Sequence, residues 1–182
     1  MTEPSKETIR LWHPDGREHK LTVLFASATE KAIIGAMYEG GSSAIERGTR
    51  VALWTATYEP PNENDPGHLW LVAGRIDIEV ESLRGIGLGS LLMLPLVRWA
   101  KERPGDVPVV PVSLAGPDAD TEEKRCRRNR FYEKLGFFFD YEDDDQTFGE
   151  SRPMCASALI TPDFKMSRPW QVRSLSSTGR VF

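Results

Sequence analysis

Apolar and polar positions alternate in several short runs of this chain and change to a helical spacing in others. Thr8-Ile9-Arg10-Leu11-Trp12 alternates with period two, His13-Pro14-Asp15-Gly16 is turn chemistry, and residues 21–25 predict the returning strand of a hairpin. Ala32, Ile33, Ala36 and Met37 recur at helical spacing, so residues 29–38 are read as a helix stopped by Gly40-Gly41, with a second short helix at 42–47. Residues 50–58, rich in Val, Leu, Trp and Thr, predict a strand, and the prolines and glycine of 59–67 predict a loop. Residues 68–81 predict one long strand, with Ile76, Ile78 and Val80 on one face and Arg75, Asp77, Glu79 and Glu81 on the other.

After that strand comes Leu83-Arg84-Gly85-Ile86-Gly87-Leu88-Gly89-Ser90, which opens an apolar run at 91–100. The run is apolar nearly all round and predicts a buried helix to about residue 103, kinked at Pro95. Residues 107–115 predict a strand whose prolines, Pro108 and Pro111, cannot donate to a ladder. Asp120-Thr121-Glu122-Glu123 predicts a helix cap, and Gly136 closes that helix at the C′ position. Strands at 137–141 and 154–160 flank the acidic turn Glu142-Asp143-Asp144-Asp145. Residues 163–182 have no strong period and leave three readings open: an ordered extension, a dimer arm or a frayed tail.

Composition narrows the picture. The chain of 182 residues is most simply one domain, residues 1–162, with a C-terminal extension at 163–182. A net charge of −4 counts against a nucleic-acid partner, which calls for a basic surface. Cys126 and Cys155 make neither a disulfide framework nor a zinc spacing, and no metal is expected. Residues 1–7 lack the apolar core of a signal peptide, and the longest apolar run is too short to span a membrane, so a cytoplasmic protein is expected.

The chemistry concentrates in the glycine stretch. A strand, a tight glycine turn and a helix N-terminus together form an anion site, because successive backbone N–H groups and the helix dipole point outward there. Glycines let the backbone approach a phosphate, and Arg84 adds a planar cation. The third glycine comes one residue early for a dinucleotide fingerprint, and a P-loop needs a lysine that is missing. The ligand-free alternative is a plain strand–helix turn.

Arg84-Gly85-Ile86-Gly87-Leu88-Gly89 matches the Arg/Gln-x-x-Gly-x-Gly loop with which GNAT N-acetyltransferases hold the coenzyme A pyrophosphate. Further on, Asn129-Arg130-Phe131-Tyr132-Glu133-Lys134-Leu135-Gly136-Phe137 is similar to the helix-to-strand junction of that family, in the family's order. The chain resembles GNAT proteins over roughly residues 68–160. The resemblance implies an α/β (α+β) fold with a mixed, mostly antiparallel sheet of about six or seven strands and helices on both faces. It also implies acetyl-CoA as co-substrate, with pyrophosphate on Arg84, Gly85, Ile86, Gly87, Leu88, Gly89 and Ser90. The pantetheine arm then lies along Ile78 and Val80, with Asn129 among the cofactor contacts.

In such a protein Tyr132 protonates the departing thiolate, as a phenol of ordinary pKa about 10 is able to do. Its alternative role is that of a core aromatic. The acceptor amine must lose a proton, which costs about 4 kcal/mol for a lysine-like amine near neutral pH. Asp77 and Glu79 are the candidate bases; their alternative is a half-exposed strand face. Lys124, Arg125, Arg127, Arg128 and Arg130 form a basic run that either is solvated or meets the 3′-phosphate of CoA. The activity expected is acetyl transfer to an amine of a small molecule or protein, with no membrane partner and a homodimer allowed. The alternatives are a non-catalytic acyl-CoA or protein-binding module, and a toxin acetylating charged tRNA.

Overall fold

The computed structural model describes residues 3–42, 44–71, 76–115, 120–179 and 181–182. Its strands are β1 (Ser5–Trp12), β2 (Glu18–Ser27), β3 (Lys31–Gly41), β4 (Arg50–Glu59), β5 (His68–Trp70), β6 (Pro108–Val109), β7 (Ser113–Leu114), β8 (Phe139–Tyr141), β9 (Gly149–Ser151), β10 (Met154–Cys155) and β11 (Gln171–Thr178). The α-helices are α1 (Leu88–Lys101) and α2 (Glu122–Glu133). Eight strands form one sheet in the order β10-β6-β5-β4-β3-β2-β1-β11, and β7-β9-β8 form a second. The described pairings are antiparallel except that β5 runs parallel to β6.

This architecture corrects the expected one. The molecule is mostly sheet, with two α-helices among the described residues, and it does not have the helix-covered sheet that the family resemblance implies. Residues 29–38 and 42–47 are both read as helices, but the first becomes β3, paired with β2 and β4, and the described residues of the second, 42 and 44–47, are bend, turn and irregular chain. The run Ala32-Ile33-Ile34-Gly35-Ala36-Met37-Tyr38 fits both periods, and its alternate members Ala32, Ile34, Ala36 and Tyr38 are the fully buried ones. Two neighbouring strands satisfy its backbone, and the β-branched pair and Gly35 weaken the helical option.

The predicted long strand at 68–81 is also shorter than expected, ending as β5 at Trp70. Its part at 72–75 lies outside the described residues. Residues 76–80 are irregular: Ile78 is buried and Glu79 exposed, while Ile76, Asp77 and Val80 are all half-buried, and Glu79 N–H donates to Val51 O at 2.8 Å. Among the described residues β5 and β6 pair at Leu69↔Val109. Further along, Glu79 N–H returns to β4 at Val51 O, and Ser113 of β7 pairs with Glu150 of β9.

One core unites these layers. Ile9, Leu21, Val23, Ile34, Ala36 and Trp54 project from one face of the large sheet. Against them lies α1, where Leu91 to Val97, Trp99 and Ala100 are buried as the sequence predicts. Trp99 Nε1 donates to Ala28 O at 2.9 Å, which pins the end of α1 to the β2–β3 turn. The C-terminal residues are an ordered extension: β11 runs antiparallel to β1 at the sheet edge, and Trp170 and Val181 are buried.

Candidate functional site

A turn of 3-10 helix, Glu81–Leu83, leads into the glycine stretch, and Leu83 anchors it in the core. Gly85 and Gly87 both take the left-handed backbone, at φ 76° and 96°, which lets the chain turn sharply into α1. Gly87 is the N-cap and offers no side chain to the first turn. The amides of Leu88, Gly89 and Ser90 have no acceptor among the described residues, whereas Leu91 N–H already donates to Gly87 O. Leu88 is fully buried, whereas Gly89 and Ser90 are half-buried, so two N–H groups at the positive end of a helix of 14 residues are left for an anion.

Two walls flank the loop. From α2, the Arg127 stem lies 3.9 Å from the place a Cβ would take on Gly85, and the Phe131 ring lies 3.4 Å from that place on Gly89. From the C-terminal extension, Met166 and Ser167 pass so close to Gly87 that a Cβ there would sit 2.6 Å from Ser167 N. Ser167 N–H donates to Ile86 O at 2.8 Å. Of the basic run, Arg127 is thus the residue laid over the loop. Neither Phe131 nor Met166–Ser167 carries a sequence signal for this role, because both contacts arise only on folding.

The remaining predicted residues are placed as follows. Arg84 turns inward: Nε donates to Ile78 O at 2.7 Å, and Nη2 pairs with Asp77 Oδ2 at 3.1 Å. It braces the loop against the preceding segment. Asp77 is correspondingly tied to Arg84, and its carbonyl accepts from Trp54 Nε1 at 3.2 Å. Glu79 pairs with Arg50 at 2.6 Å and holds that guanidinium more firmly protonated. Both candidate bases are therefore engaged by arginine. Val80 is half-buried and Ile86 buried beside them.

On α2 the Thr121 hydroxyl caps the helix by accepting from Lys124 N–H, one residue later than the Asp120 start allowed. Tyr132 is half-buried and sits edge-on to Phe131, Phe137 and Phe139, with centroids 5.3–5.9 Å away. Asn129 is buried and does structural service: its Nδ2 donates to Gln146 O, and Arg128 donates to its Oδ1 and to Ala115, Gln146 and Thr147 carbonyls. The pair locks α2 to the acidic turn.

Among the described residues no group of three or more His, Cys, Asp or Glu side chains is placed to hold a metal ion. No described helix is long and apolar enough to cross a membrane. Comparisons with family models, curated proteins and solved structures gave no match.

Proposed function

We propose that this protein binds acyl-CoA, in the first place acetyl-CoA, and transfers the acyl group to an amine. The half-buried amides of Gly89 and Ser90, without acceptors among the described residues at the start of α1, carry this proposal. A diphosphate accepts those amides, and Arg127 lies within reach of a further phosphate. The pantetheine arm runs from the loop along Val80 and Ile78. The amine attacks the thioester carbon, the C–S bond breaks, and Tyr132 supplies the proton that the CoA thiolate takes up. Because Asp77 and Glu79 each answer to an arginine, proton removal from the amine goes through solvent or through the amine's own prior deprotonation.

Those two ion pairs also favour a second reading, in which the site holds acyl-CoA without turning it over. Calorimetric titration with acetyl-CoA, and with acetyl-pantetheine as the control lacking the diphosphate, tests the cofactor site. Micromolar binding of the first and far weaker binding of the second is expected; no binding of acetyl-CoA overturns both readings. An amine panel with detection of released thiol then separates them. Where turnover is found, Tyr132→Phe lowers it by about a hundredfold with acetyl-CoA affinity unchanged. Equal turnover removes Tyr132 from the acid role.

A further inference from the structure

The face of the large sheet opposite α1 carries a charge arrangement that the acyl-transfer reading does not use. Register places Lys20 of β2, Arg10 of β1 and Arg173 of β11 directly across from one another, three cations in one row over three adjacent strands. Like charges directly opposite on a sheet destabilise it. Only Arg10 has a carboxylate, Glu18, while Lys20 and Arg173 form no ion pair among the described residues. The next row along the strands is Thr22, Thr8 and Ser176, all hydroxyls, and the row after it holds Lys6 between Leu24 and Thr178.

The surface here forms a shallow, open depression. Lys6, Thr8, Lys20, Thr22, Glu39 and Arg47 line a groove of about 390 Å³. Its one carboxylate is already engaged: Glu39 accepts from the Thr22 hydroxyl at 2.8 Å and from Arg47 at 3.0 Å. The Thr22 hydroxyl first, then Arg47 and the nearby Lys6, hold the Glu39 carboxyl below its ordinary range. The chain as a whole carries −4, so this concentration of cations is local.

We propose that this face docks an extended acidic polypeptide segment laid along β1. Side chains on one side of an extended chain repeat about every 6.6 Å, and Arg10, Thr8 and Lys6 follow the same repeat, so alternate carboxylates meet cation, hydroxyl and cation in turn. Leu24, 41% exposed, lies beside Lys6 and receives an apolar residue of the same segment. The groove is on the opposite face from α1 and its glycine loop, and the inference does not rest on the acyl-CoA reading.

Fluorescence anisotropy with a labelled oligo-glutamate peptide of about eight residues, long enough to follow β1, tests it. The full chain binds the peptide saturably and more weakly as salt rises, and a matched oligo-lysine peptide does not bind. Combining Lys20→Glu with Arg173→Glu weakens binding at least about tenfold, while the urea midpoint holds or rises because the like-charge row is relieved. Lys20→Gln with Arg173→Gln gives a smaller loss in the same direction. Unchanged binding in both variants, no binding by the wild type, or tighter binding of a single-stranded oligonucleotide than of the peptide each overturns the proposal.

Discussion

Gly87 meets two demands at once, a backbone at φ 96° and a neighbour too close for any side chain. Gly85 meets only the first, since its φ is 76° but the atom nearest to a methyl placed there, Arg127 Cδ, is 3.9 Å away on a flexible side chain. Gly85→Ala is therefore expected to cost about 1 kcal/mol of left-handed strain, and Gly87→Ala about 3 kcal/mol because the methyl also displaces Ser167. Urea denaturation of the two variants checks the difference, and equal losses would mean that the extension does not press on the loop. His19 makes a pH-dependent contribution. It is buried against Trp170, with ring centroids 5.4 Å apart, and burial, helped by Arg17 and opposed by Glu18, pulls its pKa below the usual 6.5. Below that pH the unfolded chain binds a proton that folded His19 resists, so stability falls as pH drops through the window beneath 6.5, by up to about 1.4 kcal/mol per unit. His19→Gln flattens that slope in urea midpoints taken between neutral and mildly acidic pH; an unchanged slope would assign it to other groups.

At the scale of elements, the C-terminal extension closes two structures with one segment. Its β11 completes the sheet edge beside β1, and just before it Trp170 packs against His13 and His19 under the Arg17 guanidinium. That anchor holds Ser167 on the loop. Trp170→Ala is expected to cost about 3 kcal/mol and to release the Ser167 amide first. Hydrogen exchange reads both effects, and a Ser167 amide that stays as protected as in the wild type would show that the contact does not depend on Trp170. Elements with a clear local signal were legible in the sequence: the β1–β2 hairpin from its turn residues, β4 from its β-branched content, α1 from its unbroken apolar run, and the Gly136 stop of α2. Elements whose identity depends on neighbours were not. β3 fits either period and becomes a strand because β2 and β4 accept its hydrogen bonds. β11 is nearly all exposed and polar, so it has no pattern to read, and pairing with β1 makes it a strand.

For the whole molecule, the loss of the two expected N-terminal helices changes what the sheet is. α1 covers one face, and five neighbouring strands, β4-β3-β2-β1-β11, offer the other with Leu24 and Leu53 exposed among hydroxyls and cations. It is this face that the proposed acidic segment would occupy. By itself the sequence determined the local chemistry: a glycine turn that must enter a helix, a buried apolar helix behind it, an amphipathic approach with Ile78 inward and Glu79 outward, and a capped basic helix after it. Those follow from backbone sterics and side-chain periodicity, which act over a few residues. Only the tertiary structure decided that Arg84 faces Asp77 and Ile78 instead of solvent, that Asn129 braces a turn, that Arg127 and Ser167 wall the loop, and that three cations line up across β2, β1 and β11. Each of these depends on strand register or on contacts between distant segments, which local spacing does not encode.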